Sequence, residues 1–210
     1  IKSCTTPSPR GCEAAARMPI NRNFLAELSA ALSPDTLVRW DEPLAKRTTM
    51  RVGGPADGYI EPASEADLAR VLTLAGAQGV PVTFLGRGSN LLIRDGGIRG
   101  LVICLAHPYF SRVEIIDNRL HCGAGVRLKT VAVEARRHRL AGMEFLEGIP
   151  GSVGGALRMN AGAMGSWIFQ VVERVRMMDR AGRASERPVS DVPVAYRRCP
   201  LFQDRIALGA

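Results

Sequence analysis

Two glycine-rich stretches hold the residues of this chain best placed to do chemistry. The first is Gly86-Arg87-Gly88-Ser89-Asn90, directly after the apolar run 80–85. Glycines following a buried strand let backbone N–H groups turn toward an anion, and the Ser and Asn side chains add hydrogen bonds. That chemistry suits a pyrophosphate. The stretch is not GxGxxG and lacks the GK[ST] ending of a P-loop, so a plain strand-to-loop turn stays open as the alternative. The second stretch is Gly148-Ile149-Pro150-Gly151-Ser152-Val153-Gly154-Gly155, followed by Asn160-Ala161-Gly162-Ala163. Its glycines make a surface nearly free of side chains, on which a flat ring or a phosphate can rest against backbone. The interposed Ile149, Val153, Leu157 and Met159 argue against a flexible linker, which would be polar.

A third feature is Tyr196-Arg197-Arg198-Cys199. An Arg fork can hold a carboxylate in bidentate fashion. By spacing alone, an Arg on a solvated face is the better supported reading. His107, His121 and His138 stand apart without metal-ligand spacing, and no metal is expected. The five cysteines, Cys4, Cys12, Cys104, Cys122 and Cys199, form no CxxC pair. They read as free thiols in a cytosolic protein.

The elements that must position these stretches follow from periodicity. Apolar residues at helical spacing predict a helix over 24–32, ended by Ser33-Pro34. Ser64 with Asp67 opens a second helix running to Ala77 and closed by Gly79. Strands are predicted at 58–61, 80–85 and 101–105, and a hairpin at 113–116 and 119–122 around Asp117-Asn118. A helix over 128–140, no long regular element over 145–165, a strand at 171–179 and the start of another at 206–208 complete the order. This is a small β-α-β unit followed by a mixed α+β unit, an α+β fold class overall.

Composition narrows the function classes. Of 210 residues, 46% are hydrophobic and 23% charged, the balance of an ordinary globular protein. No apolar run approaches the ~20 residues that span a bilayer. The net charge is +8, but the arginines are dispersed apart from Arg136-Arg137-His138-Arg139, so no nucleic-acid stripe is expected. A basic balance also suits a protein whose ligands are all anionic. Residues 1–20, with Pro7, Pro9 and Pro19, lack the apolar centre of a signal peptide and read as a disordered tail, with Met18 a candidate start.

Four segments together resemble a known family. They are Thr49–Ala56, Leu85–Leu92, Glu147–Ala156 with Met159–Ala163, and Ala195-Tyr196-Arg197, which sits where the family has Gly-Tyr-Arg. Their order and spacing are similar to those of the UDP-N-acetylenolpyruvoylglucosamine reductases, the MurB family, over about residues 44–210. The resemblance implies the FAD-binding fold of the vanillyl-alcohol-oxidase (PCMH-type) group, two α/β subdomains with the flavin between them. Residues 21–106 would form the small one and 107–210 the larger. It implies noncovalent FAD held by Arg51, Gly86, Arg87, Gly88, Ser89, Asn90, Leu91, Ile149, Pro150, Gly151, Ser152, Gly154, Gly155, Asn160, Ala161 and Gly162. It implies NADPH as reductant and a cytoplasmic role in peptidoglycan precursor synthesis. The substrate would be UDP-N-acetylglucosamine enolpyruvate, reduced to UDP-N-acetylmuramate. Arg197 takes the catalytic position, stabilising charge that develops on the substrate carboxylate, and Tyr196 lies beside it in the substrate site.

The family's proton donor, a Ser or Cys, and its late acidic residue have no counterpart in these 210 residues. Two alternatives therefore stand: a flavin- or nucleotide-binding fragment without turnover, and another flavo-oxidase of the same fold group. Covalent flavin attachment is disfavoured, because no His or Cys lies in or beside the two glycine stretches in sequence.

Overall fold

The computed structural model describes residues 20–210; the tail expected over 1–20 lies, but for Ile20, outside the described residues. Helix α1 (Arg22–Ala31) starts where the Asn21 side chain accepts the Asn23 N–H at 2.9 Å, and it buries Phe24, Leu25 and Leu28. Strand β1 (Leu37–Pro43) follows, then β2 (Pro55–Glu61), α2 (Glu65–Ala77), β3 (Val82–Phe84) and β4 (Ile98–Ile103). They make one four-stranded sheet in the order β1-β2-β4-β3. The β1–β2 pair is antiparallel, while β2–β4 and β3–β4 are parallel. Parallel strands need a crossover connection, and α2 carries the chain from β2 to β3, leaving the place between them for β4.

Helix α2 begins as the sequence predicts. Ser64 caps it, accepting the Asp67 N–H at 3.1 Å. The buried Asp67 carboxylate in turn accepts from Ser33 N–H at 3.1 Å, Ser33 Oγ at 2.8 Å and Ser64 Oγ at 2.8 Å. Burial alone would push its pKa up; these hydrogen bonds outweigh it and hold the carboxyl below the usual range.

The second half opens with the hairpin β5 (Val113–Ile116) and β6 (Arg119–Cys122), in the register expected. Asp117 and Asn118 both take positive φ, 48° and 60°, as a two-residue turn requires. Helix α3 (Leu128–Arg137), the short α4 (Val153–Met159), the ribbon β7 (Gly162–Ala163) and β8 (Ser166–Trp167), then β9 (Arg174–Met178), β10 (Ala184–Pro188), α5 (Leu201–Asp204) and β11 (Ile206–Gly209) complete the chain. The last three strands form an antiparallel sheet in the order β10-β9-β11.

Two differences from the sequence reading concern edges. β1 and β10 were not predicted, and both are edge strands whose residues are mostly exposed. Such strands lack the alternation that marks a half-buried one.

The halves share apolar packing. Met178, Ile206 and Leu208 from the second sheet lie in one cluster with Phe24, Leu25, Leu28, Leu68 and Val71. Arg176 on β9 grips Glu65 on α2 through two hydrogen bonds, at 2.9 and 2.7 Å.

Candidate functional site

The two glycine stretches meet. The Ser89 hydroxyl donates to the Pro150 carbonyl at 2.6 Å, across 61 residues of sequence. A Cβ built on Gly86 would lie 3.2 Å from Ser152 Oγ, and one on Gly151 would lie 3.8 Å from Ser89 Oγ. Thus Gly86–Asn90 and Pro150–Ser152 face each other with no bulky side chain between them.

The first loop is held by its strand and by a third segment. Leu85 N–H donates to Ile103 O at 2.9 Å, which carries the β3–β4 pairing to the edge of the loop. Gly88 has φ +64°, and its carbonyl accepts the Thr49 N–H at 3.1 Å. A Cβ on Gly88 would run into the Arg47 carbonyl, so only glycine fits both the conformation and the approach. Residues 47–49 are therefore the back wall of the loop.

The second stretch leads into α4. Gly154 N–H donates to Ala124 O at 2.8 Å and Val153 N–H to Val126 O at 2.9 Å. A Cβ on Gly154 would come within 3.0 Å of Ala124 Cβ, whereas Gly155 meets only Ser152 Oγ at 3.6 Å. Gly154 is glycine for close packing on residues 124–126, and Gly155 leaves open surface.

Between these walls lies a cleft of about 890 Å³. Of the predicted cofactor residues, Arg51, Gly86, Arg87, Ser152, Gly154 and Gly155 line it. Gly88, Ser89, Asn90, Leu91, Ile149, Pro150 and Gly151 do not line it, although the Ser89–Pro150 bond joins the two loops whose neighbouring residues do. Leu91 is exposed. The cleft also takes residues that the sequence reading passed over: Tyr59, Cys104, the segment Ala124–Arg127, Arg158 and Arg205 among them. The glycines of Gly123-Ala124-Gly125 were the missed signal. A Cβ on Gly123 would collide with the Phe110 carbonyl, and one on Gly125 with the Leu105 carbonyl.

The lining is electrostatically one-sided. Lys46, Arg47, Arg51, Arg87, Arg127, Arg158 and Arg205 line the cleft, and among the described residues no Asp or Glu does. Low-dielectric walls carrying one sign of charge concentrate ions of the other sign. The cleft can take an extended dianion together with a flat apolar ring, because bare backbone at Gly86 and Gly155 lies alongside the guanidinium groups.

Asn160, Ala161, Gly162, Tyr196 and Arg197 do not line this cleft. Asn160 ends α4 in the left-handed conformation, φ 42° and ψ 56°. Its Nδ2 donates to Ala195 O at 3.1 Å, and its Oδ1 is buried without a partner among the described residues. Ala161 N–H closes on Ala156 O at 3.0 Å. Gly162 is glycine because the β7–β8 turn brings the Ser166 carbonyl onto it. Tyr196 and Arg197 form a two-residue turn closed by Ala195 N–H to Arg198 O at 2.9 Å and the reverse bond at 3.1 Å. The turn hangs on the end of α4: Cys199 N–H donates to Arg158 O at 3.1 Å, and the Arg158 side chain donates to Phe202 O. Tyr196 is 91% exposed.

One expectation needs correction in space. Cys104 is eighteen residues from Gly86 in sequence, yet its Sγ lies 3.9 Å from Gly86 O, on the cleft wall. Burial pushes its thiol up, which disfavours the reactive thiolate. Cys122 and Cys199 are also buried free thiols, and burial raises Cys122 to about 12. Among the described residues no three His, Cys, Asp or Glu cluster to hold a metal, and no helix is long and apolar enough to cross a membrane.

Comparison with known proteins agrees with this geometry. Residues 56–186 match the family described as FAD binding domain. A UDP-N-acetylenolpyruvoylglucosamine reductase of Clostridioides difficile is 40% identical over 191 residues, which are 90% of this chain and 62% of that protein. The enzyme of the same name from Paramagnetospirillum magneticum is 44% identical over 171 residues, 81% of this chain and 55% of that one. The chain thus spans about three fifths of such relatives. The crystal structure of the MurB reductase from Thermus caldophilus superposes with a TM-score of 0.69 at 32% identity, over 83% of this chain and 60% of that one. A p-cresol methylhydroxylase superposes with a TM-score of 0.63 at 15% identity, over 89% of this chain and 42% of that one, which shows a shared fold.

Proposed function

The chain belongs to the FAD binding domain family, and we propose that it is the flavin-holding part of a UDP-N-acetylenolpyruvoylglucosamine reductase. The observation that carries this reading is the Ser89–Pro150 bond joining the two glycine stretches, whose neighbouring residues line a cleft with seven cations and, among the described residues, no carboxylate. FAD would lie between residues 21–106 and 107–210, noncovalently. Its pyrophosphate would meet the Gly86–Asn90 backbone, with Ser89 holding that loop against Pro150 and Arg51 and Arg87 supplying charge. Gly151, Ser152 and Gly155 would offer backbone and hydroxyl contacts to the rest of the dinucleotide. Asn160, whose buried Oδ1 has no partner among the described residues, would offer a further polar contact at the end of α4, outside the cleft lining itself.

Bound FAD would supply the hydride relay from NADPH to the enolpyruvyl group, in a cytoplasmic step of peptidoglycan precursor synthesis. The part of this chain in that step is to orient and to stabilise charge. Arg197, held at the tip of its turn by Asn160 and Arg158, would face the substrate carboxylate as negative charge develops there. Tyr196 would position the same group.

Titrating the purified chain with FAD tests the reading. Quenched flavin fluorescence with saturable 1:1 binding, and bleaching by NADPH, are expected. A chain that stays colourless with excess FAD refutes it. The exposure of Tyr196 favours a second reading for this chain alone, flavin binding without turnover. NADPH oxidation that depends on the UDP-sugar substrate separates the two.

A further inference from the structure

A partly buried polar cluster lies behind Arg47, one of the cleft cations, and its two carboxylates have no part in the function described above. Arg47 donates from Nε to Glu42 Oε1 at 2.9 Å and from Nη1 to Glu61 Oε1 at 3.0 Å. Its guanidinium lies 4.4 Å over the Tyr59 ring, and the Tyr59 hydroxyl donates to Glu61 Oε1 at 2.7 Å. Glu42 is buried, as is Tyr59. Arg47 and Tyr59 line the cleft; the two carboxylates lie behind them. The Arg47 carbonyl is also the surface on which Gly88 rests.

We infer that Arg47 is a positioning and charge-masking residue of the dianion site: it neutralises Glu42 and Glu61 beneath the Gly86 loop and fixes the backbone against which Gly88 packs. This rests on the flavin reading. Two uncompensated carboxylates behind the loop would repel a pyrophosphate. Glu42 keeps a second partner, Arg39 at 3.4 Å, whereas Arg47 is the cation paired with Glu61 among the described residues. Removing the guanidinium therefore uncovers Glu61 above all. Burial, with Glu61 beside it, holds Tyr59 protonated far above its ordinary range, so the phenol adds no charge of its own.

The test titrates wild type, Arg47→Met, Arg47→Met/Glu61→Gln and Arg47→Lys with FAD and with riboflavin, which lacks the pyrophosphate. Arg47→Met should weaken FAD by about 30-fold or more, the effect of one unit charge on another at ~8 Å in an effective dielectric of ~20. Riboflavin binding should hardly change. Adding Glu61→Gln should restore most of the FAD affinity, and Arg47→Lys should keep most of it. Equal losses for both flavins, or no rescue by Glu61→Gln, overturn the inference. If Arg47→Met does not fold, Arg47→Lys decides: a large, FAD-selective loss at unchanged thermal stability overturns charge masking, and retained affinity supports it. A wild-type chain that binds no FAD defeats the flavin reading as well; wild-type binding with indifferent variants defeats this inference alone.

Discussion

The Gly86–Gly155 seam and the Tyr196–Arg197 turn are opposites within one molecule. The seam is built from both halves, is locked by backbone approach at Gly88 and Gly154, and faces a cation-lined cleft. The turn projects from the end of α4 with Tyr196 almost wholly exposed. Holding a flavin dinucleotide needs only what the seam supplies. Transferring hydride to a carboxylate-bearing substrate, the proposed reaction, would need more, because a guanidinium stabilises developing charge at full strength only where water is excluded. Binding and chemistry are thus separable here, and mutations should separate them.

Gly88→Val should be the most damaging change. It forces a β-branched residue to φ +64° and drives its Cβ into the Arg47 carbonyl. A loss of ~3 kcal/mol or more in stability, with FAD binding abolished, is expected in thermal unfolding and flavin titration. Wild-type behaviour would mean that the loop does not rest on residues 47–49.

Asp67→Asn strikes the scaffold instead of the seam. It weakens the α2 cap and its links to Ser33 and should cost ~1–2 kcal/mol. The sign of the pH dependence follows from the depressed carboxyl. Its contribution is complete above the unfolded-state value, near 3.9, and is lost as pH falls through the lower folded-state value. Wild type should therefore lose stability below about pH 4 more steeply than the variant. Parallel denaturation profiles for the two would contradict the assignment.

Ser89→Ala removes the single side-chain bond that ties the two stretches together. FAD affinity should fall about five- to tenfold, the worth of ~1 kcal/mol, while thermal stability shifts little. Arg197→Ala should do least: neither FAD affinity nor stability should move by more than ~0.5 kcal/mol. A large loss of flavin binding there would erase the contrast between the two regions.

The glycine stretches were legible because glycine leaves few explanations when it recurs beside small apolar residues. The hairpin at Asp117-Asn118 and the Ser64 cap were legible because local chemistry decides them. β1 and β10 escaped because an edge strand with both faces partly wet shows no period. Cys104, Arg127 and Arg205 escaped for another reason: their nearness to the cleft is created by chain reversals, and spacing does not encode it. Gly162 shows the converse: its glycine is also required by the β7–β8 turn, which spacing alone did not reveal.

Hydrogen–deuterium exchange of the chain with and without FAD tests the shared cradle most directly. Amides of 86–92 and of 149–155 should slow together on adding FAD, while those of 195–198 stay unchanged. Protection confined to one stretch, or absent from both, would contradict the account.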